Sequence, residues 1–491
     1  MTNKAMLMAL AAGLAGLAGV AHGHDTPFTS YFQSGYDSKE PAAKIEYMTK
    51  AIAAWAPSDG LANKASAHIN RGGAFGELKQ YNKAIADYDK AIELDPNSAG
   101  TYANRGSVYL ELKEYSKAVS DYDRAIALNP KDAGVYNSRG NVYLALGQYD
   151  KALADYSRAI EVRPNFAGAH YNRGILYAEL QRYDKAIVAY NRAIELEPKY
   201  YEAYNNRGSV YLALKRYDKA LADYDKAVKL DPGNAEAYNN RGAAYSSLKL
   251  YAKTVADCSR AIQLKPDNSS AYANRGIAYS GLNQHDKAAA DFNMALALDP
   301  KESTAYLYRG VAYAALRQFD KAIADYDKAF ELKLDFPGIY TARGTIYSIL
   351  GKTKEAKADF GSADSGFSAK ISSSSAETYL YIGRGWNSLW LGECEKARLD
   401  FERAVELDKK EPTGYDNLGV YWWACRHDKA AALKWLEKAF ERGFDQWGEH
   451  YRETSDGHFL KGLNNTPEFR ALVKKYKTKN AGGVMGEQPK P

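Results

Sequence analysis

Histidine and cysteine are scarce in this 491-residue chain, with eight of the first and three of the second. The histidines are His22, His24, His68, His170, His285, His427, His450 and His458, and no spacing among them and the cysteines matches a zinc site. No nucleophile stands at a plausible spacing from a base. The run "RGGAFG" from Arg71 is glycine-rich but falls in a predicted helix with no strand before it. Gly351-Lys352-Thr353 resembles the end of a phosphate loop, yet Ile346 stands where the first glycine belongs. No enzyme, cofactor or metal is expected. Charge runs are missing too: the net charge is +6 and the isoelectric point about 8.7, with both signs interspersed. Nucleic acid is not an expected partner.

Long apolar runs are absent apart from Ala5 to Ala21. Lys4 precedes that run, and Ala21-His22-Gly23 has the small-x-small pattern of a cleavage site. Residues 1–23 therefore read as a secretory signal peptide, excluded from the fold. The competing reading is an uncleaved anchor, which the run's brevity and Gly/Ala content disfavour. No cysteine near the cut supports a lipid anchor. The expectation is a bacterial export signal, with the chain periplasmic or secreted, and no integral membrane segment after cleavage.

What the chain has is a period. Arg-Gly recurs at Arg71, Arg105, Arg139, Arg173, Arg207, Arg241, Arg275, Arg309 and Arg343, each step 34 residues, then at Arg384 after 41. Leu418-Gly419 follows 34 further on. A fixed period of this size predicts stacked units, none of which buries its apolar face alone. Within one period, Tyr204, Gly208, Tyr211 and Leu214 share one face of a first helix. Ala220, Tyr224 and Ala227 share a face of a second, and Pro232 follows its end.

These positions (a large residue, a small one, aromatics, two alanines and a closing proline) resemble the tetratricopeptide repeat over residues 61 to about 445. The resemblance implies an all-α, right-handed superhelical solenoid of antiparallel helix pairs. We divide the chain into a signal peptide (1–23), a degenerate N-terminal half-repeat or cap (24–60) and repeats one to nine (61–364). A Ser-rich insertion (365–377) follows, either a longer helix or a loop. Repeats ten and eleven (378–445), a C-terminal capping region (446–479) and a disordered tail (480–491) complete it.

Two positions depart from the family. Arg replaces the usual Leu before the glycine in ten repeats. Asp replaces an aromatic sixteen residues on in nine of them: Asp87, Asp121, Asp155, Asp223, Asp257, Asp291, Asp325, Asp359 and Asp400. Repeat four has Arg173 opposite Ala189. In repeat eleven Leu418 and Trp435 change together, allowing one extra residue in the turn. Joint change predicts contact, so Arg105–Asp121 and Arg207–Asp223 are expected as partly buried pairs held by two hydrogen bonds. The competing reading is an anion-binding row of arginines.

The resemblance also implies that the first helices line a concave groove into which the residue two before each glycine points. That residue is Asn70, Asn104, Ser138, Asn172, Asn206, Asn240 and Asn274 in successive repeats. Such a ladder resembles the groove of the O-linked N-acetylglucosaminyltransferase repeat domain, where amides hold peptide backbone. The lysine of the family's carboxylate clamp is missing, while Glu77, Glu111, Glu179, Glu202 and Glu236 are expected to line or rim the groove. A protein or extended peptide, neutral or mildly basic, is the expected partner. The reading is a non-catalytic interaction scaffold of the bacterial envelope. The alternatives are an accessory subunit of a glycosyltransferase-type enzyme, or an assembly factor acting through its ends or convex face. Trp386, Trp390, Trp422 and Trp423 would form a second contact patch or pack in the core. His68, His170 and His285 read as packing substitutes, and Cys258 as a buried thiol. Cys394 and Cys425, in turns of adjacent repeats, would form a disulfide if their Cα atoms lie within about 7 Å.

Overall fold

The computed structural model describes residues 26–374, 376–444, 459–460, 462–463 and 465–483. It divides into two units, residues 1–244 and 245–491. The signal-peptide reading falls outside the described residues, as do His22, His24, His450 and His458. The described residues form twenty-five α-helices and one short 3-10 helix, paired consecutively as a solenoid within each unit. None of these helices is long and apolar enough to cross a membrane.

One repeat shows how the sequence builds the pair. The first helix, Tyr201–Ala213, ends where Lys215 adopts φ 56°. The backbone closes there through Lys215 N–H to Leu212 O at 2.9 Å and Arg216 N–H to Tyr211 O at 2.8 Å. This is the pattern that satisfies a helix's last carbonyls with one left-handed residue. The second helix, Tyr217–Leu230, then runs back against the first. Gly208 permits the approach: a Cβ there would lie 2.9 Å from the Tyr224 ring. Ala220, Tyr224 and Ala227 are fully buried between the helices. The equivalent residues Ala84, Tyr88, Ala118, Tyr122, Ala152 and Tyr156 do the same earlier in the first unit.

The N-terminal segment corrects the half-repeat expectation. Two helices are present, Pro27–Asp37 and Pro41–Ala54, and Gly35 meets Met48 as the repeat glycines meet their aromatics. Thr26 caps the first helix and donates to Asp59 Oδ1 at 2.8 Å, tying the pair to the start of repeat one.

In the second unit the Ser-rich insertion extends a helix, Thr353–Ser373, rather than forming a separate loop. The last described helix, Pro467–Gly483, reaches into the expected tail and buries Phe469 and Tyr476. The Tyr476 ring lies 5.9 Å from that of Phe440. Much of the expected cap, 446–458, lies outside the described residues. The tryptophans are not an exposed patch. Trp386 and Trp390 pack on Phe459 with ring centroids 5.8 and 4.8 Å away, and Trp422 and Trp423 are partly buried against the same apolar cluster.

Candidate binding cleft

The first unit opens a cleft of about 370 Å³ along the first helices of repeats four to six. Its wall begins with Tyr171, on helix Ala167–Glu179, whose ring lies 4.7 Å from that of Tyr200. Burial pushes the Tyr171 hydroxyl well above its ordinary pKa, so it stays protonated. Asn206 donates to that hydroxyl at 2.9 Å. Asn205 donates to Asn206 at 3.4 Å and accepts from Asn240 at 3.1 Å. Each amide nitrogen carries two N–H groups, and these bonds use one from each. Glu179, Glu202 and Glu236 add three carboxylates to the lining, which includes no lysine or arginine.

Sequence reasoning found Asn206 but not Asn205. Both line the cleft, as do Glu179, Glu202 and Glu236, while Glu77 and Glu111 do not. Other ladder asparagines are spent within the protein. Asn70 donates to Ser66 O at 2.8 Å on its own helix. Asn172 donates to Asn137 and Asn141 at 2.9 and 3.1 Å. Asn104, Asn240 and Asn274 lie outside the lining.

The arginines face the second helices instead. Arg207 donates from Nε to Asp223 Oδ2 at 2.7 Å and from Nη2 to Oδ1 at 2.6 Å. Arg105 makes the same fork to Asp121 at 2.8 and 2.7 Å. Arg71, Arg139, Arg275, Arg309, Arg343 and Arg384 do so with their own aspartates. The Arg207 side chain is 17% exposed and Asp223 7%. A third bond went unforeseen. Nη1 reaches back sixteen residues to the preceding repeat: Arg207 to Asn191 at 2.6 Å, Arg105 to Asp89 at 2.5 Å, Arg309 to Asn293 at 2.7 Å. The signal was in the sequence. A polar residue (Asp, Asn or Ser) stands two places after the aspartate register in repeats one to eight, as in "DYD" from Asp87 and Asp121, while repeat nine has Gly361.

His68 is more than a packing substitute, since its Nδ1 lies 2.8 Å from Asp87 Oδ1. Burial pushes the Asp87 carboxyl up, but hydrogen bonds from Arg71 and His68 outweigh it and hold the pKa below the usual range. Cys258 is fully buried, and burial pushes its thiol up to about 12. Cys394 and Cys425 are disulfide-bonded, with Cα atoms 6.0 Å apart. Among the described residues no group of three or more His, Cys, Asp or Glu is placed to hold a metal.

Comparison with known families finds "Tetratricopeptide repeat" at residues 65–98, 87–120, 167–200, 201–234, 235–268, 269–302, 303–336 and 337–365. "TPR repeat" matches at 106–147 and 140–181, so the matches run without a gap from 65 to 365. No curated protein matches the chain. Among solved structures, the Cut9–Hcn1 hetero-tetramer of APC/C is similar over 91% of this chain and 96% of that one, at 16% identity and TM-score 0.53. YrrB, described as a TPR protein with an unusual peptide-binding site, is 28% identical over 39% of this chain and 96% of its own, at TM-score 0.32. TTC0263 from Thermus thermophilus is 25% identical over 37% and 99%, at TM-score 0.33.

Proposed function

We propose, from the premise that the chain belongs to the tetratricopeptide repeat family and is a protein-interaction scaffold, that its cleft at Tyr171, Asn205 and Asn206 holds an extended, basic peptide segment. One observation carries the reading: amides with N–H groups to spare line the same cleft as three carboxylates and no cation. An asparagine amide offers a donor and an acceptor to one peptide unit, which suits backbone recognition independent of sequence. Glu179, Glu202 and Glu236 then favour a lysine or arginine side chain and repel an acidic one. Nothing in the cleft supports an attached transferase activity.

We place this scaffold in the envelope or outside the cell, on the strength of the signal-like residues 1–23. Expression with a C-terminal reporter, followed by fractionation and N-terminal sequencing, tests that. For the cleft, fluorescence anisotropy with labelled ten-residue peptides of +3, 0 and −3 charge is decisive. The basic peptide should bind best. Asn206→Ala should weaken it by about tenfold, the worth of one good hydrogen bond to a partner. Glu202→Gln with Glu236→Gln should remove the preference for positive charge. Equal binding of all three peptides, unaffected by Asn206→Ala, would overturn the reading.

A further inference from the structure

The registers that wall the cleft in repeats four and five recur at the far end of the chain. In the cleft they are Ile175 and Glu179, one and five after a repeat glycine, and Asn205 and Asn206, three and two before the next. In repeats ten and eleven the same registers hold Trp386, Trp390, Asp416 and Asn417. There, within the second unit, the chain's own C-terminal segment lies against them. The Phe459 ring is 5.8 Å from that of Trp386 and 4.8 Å from that of Trp390. A Cβ on Gly462 would lie 3.6 Å from the Trp423 ring, and Leu460 and Leu463 are buried in the same apolar cluster.

The fit of this segment is incomplete at one rung. The other six asparagines of the ladder are partly exposed, whereas Asn417 is fully buried. Its Oδ1 and Nδ2 meet no hydrogen-bonding group among the described residues. An amide hidden from water and left unmet costs stability, and an apolar side chain of similar size would not. The segment's position is set from behind. The helix that follows it, Pro467–Gly483, is fixed to the second helix of repeat eleven by Lys429 on Glu468 and Lys475 on Glu437, both at 2.7 Å.

We propose that the first-helix face of repeats ten and eleven is a second peptide site, and that Phe459–Leu463 occupies it in place of a partner. The partner is an extended segment of the same chemistry, a phenylalanine followed by leucines. Its ring takes the place of Phe459 against Trp386 and Trp390. Not being tied to the helix Pro467–Gly483, it settles along the groove until its backbone meets the Asn417 amide, which offers both a donor and an acceptor. That bond is what the chain's own segment lacks. The ion pairs of Glu468 and Lys475 hold the end of the solenoid closed during the exchange. The site does not depend on what the cleft of repeats four to six binds.

Fluorescence anisotropy with the labelled peptide HFLKGLNN, the sequence of residues 458–465, tests this on the full chain. Phe459→Ala weakens the internal competitor and should tighten peptide binding by about tenfold, the worth of one aromatic pair. Phe459→Leu keeps apolar volume without the ring and should shift binding the same way, so the test stands if the alanine chain fails to fold. In either background Trp386→Ala should abolish binding and Asn206→Ala should leave it unchanged, which separates this site from the first cleft. Asn417→Leu should raise the melting temperature of the unmodified chain by about 2 °C, yet weaken peptide binding in the Phe459 variants. Peptide binding no tighter in either Phe459 variant, a scrambled peptide bound as well, or binding that survives Trp386→Ala or ignores Asn417→Leu would each overturn the proposal.

Discussion

At the register where repeat five carries Arg207, Asp223 and Tyr224, repeat eleven carries Leu418, Trp435 and Leu436. Gly208 packs on Tyr224, and Gly419 packs on Leu436, so the backbones meet in the same way. Everything around that contact differs. Arg207 is held by two bonds to its own repeat and one to Asn191 of the preceding one. Leu418 is 1% exposed in an apolar cluster that includes Tyr421 and Leu436. Glu402 of repeat ten stands where a preceding repeat would offer its acceptor, but it pairs with Arg398 on its own helix at 2.8 Å. The link between repeats ten and eleven is instead covalent, through Cys394 and Cys425, with Arg426 and Glu395 paired beside it. The helix pair thus tolerates an ionic or an apolar filling. What the ionic filling adds is a directional tie between neighbours, and where it is missing another tie takes its place.

The comparison breaks most sharply if the two fillings prove interchangeable. Leu418→Arg places a charge in an apolar site with no carboxylate at Trp435, and should cost about 4–5 kcal/mol in denaturant-induced unfolding. A loss under about 1 kcal/mol would mean that Glu402 accepts the charge and that the two repeats do not differ. In the reverse sense, Arg207→Leu strands Asp223 and should cost about 3–4 kcal/mol. Arg207→Leu with Asp223→Tyr restores the family's usual pairing and should cost clearly less. Equal losses would contradict the coupling.

Replacing both cysteines by alanine should cost about 3.7 kcal/mol on the loop-closure account for residues 31 apart. Proteolysis should then release fragments from repeats ten and eleven first. The smallest effect concerns pH. Asp87 has a folded pKa below the ordinary 3.8, so its contribution is present above that value and lost as pH falls through the folded value. Acid melting curves of His68→Tyr should therefore lose stability at a higher pH than the unmodified chain. Coincident curves would show that the histidine adds nothing to the arginine's hold.

The period, the helix pairing and the register of the arginines were legible because each rests on spacing along a helix, which the sequence states directly. Arg–Asp contact was legible because Leu418 and Trp435 change together. The backward bond to Asn191 or Asp89 was not, since a polar residue two places after the buried register reads as an ordinary solvated position. The use of Asn172 and Asn240 by neighbouring amides was hidden for a related reason. It depends on how far one repeat rises above the next, and no single repeat encodes that distance. The helix Pro27–Asp37 escaped because "PFTSYFQSGYD" lacks the period, although Thr26 and Pro27 are good starting residues for a helix. His170 matched the packing pattern, and its bond to Pro164 O at 3.0 Å is invisible in a sequence that shows only a ring at an aromatic register.

Arg105 and Arg139 each draw on an acceptor that the chain has already passed, Asp89 or Asp123, as well as one sixteen residues ahead. A chain emerging from the ribosome therefore delivers every such guanidinium to a neighbour whose half of the socket is already built. Assembly acquires a direction, from the first unit made toward the last. Clipping repeats from the late end leaves those upstream fully served, whereas clipping from the early end leaves the next arginine short of an acceptor.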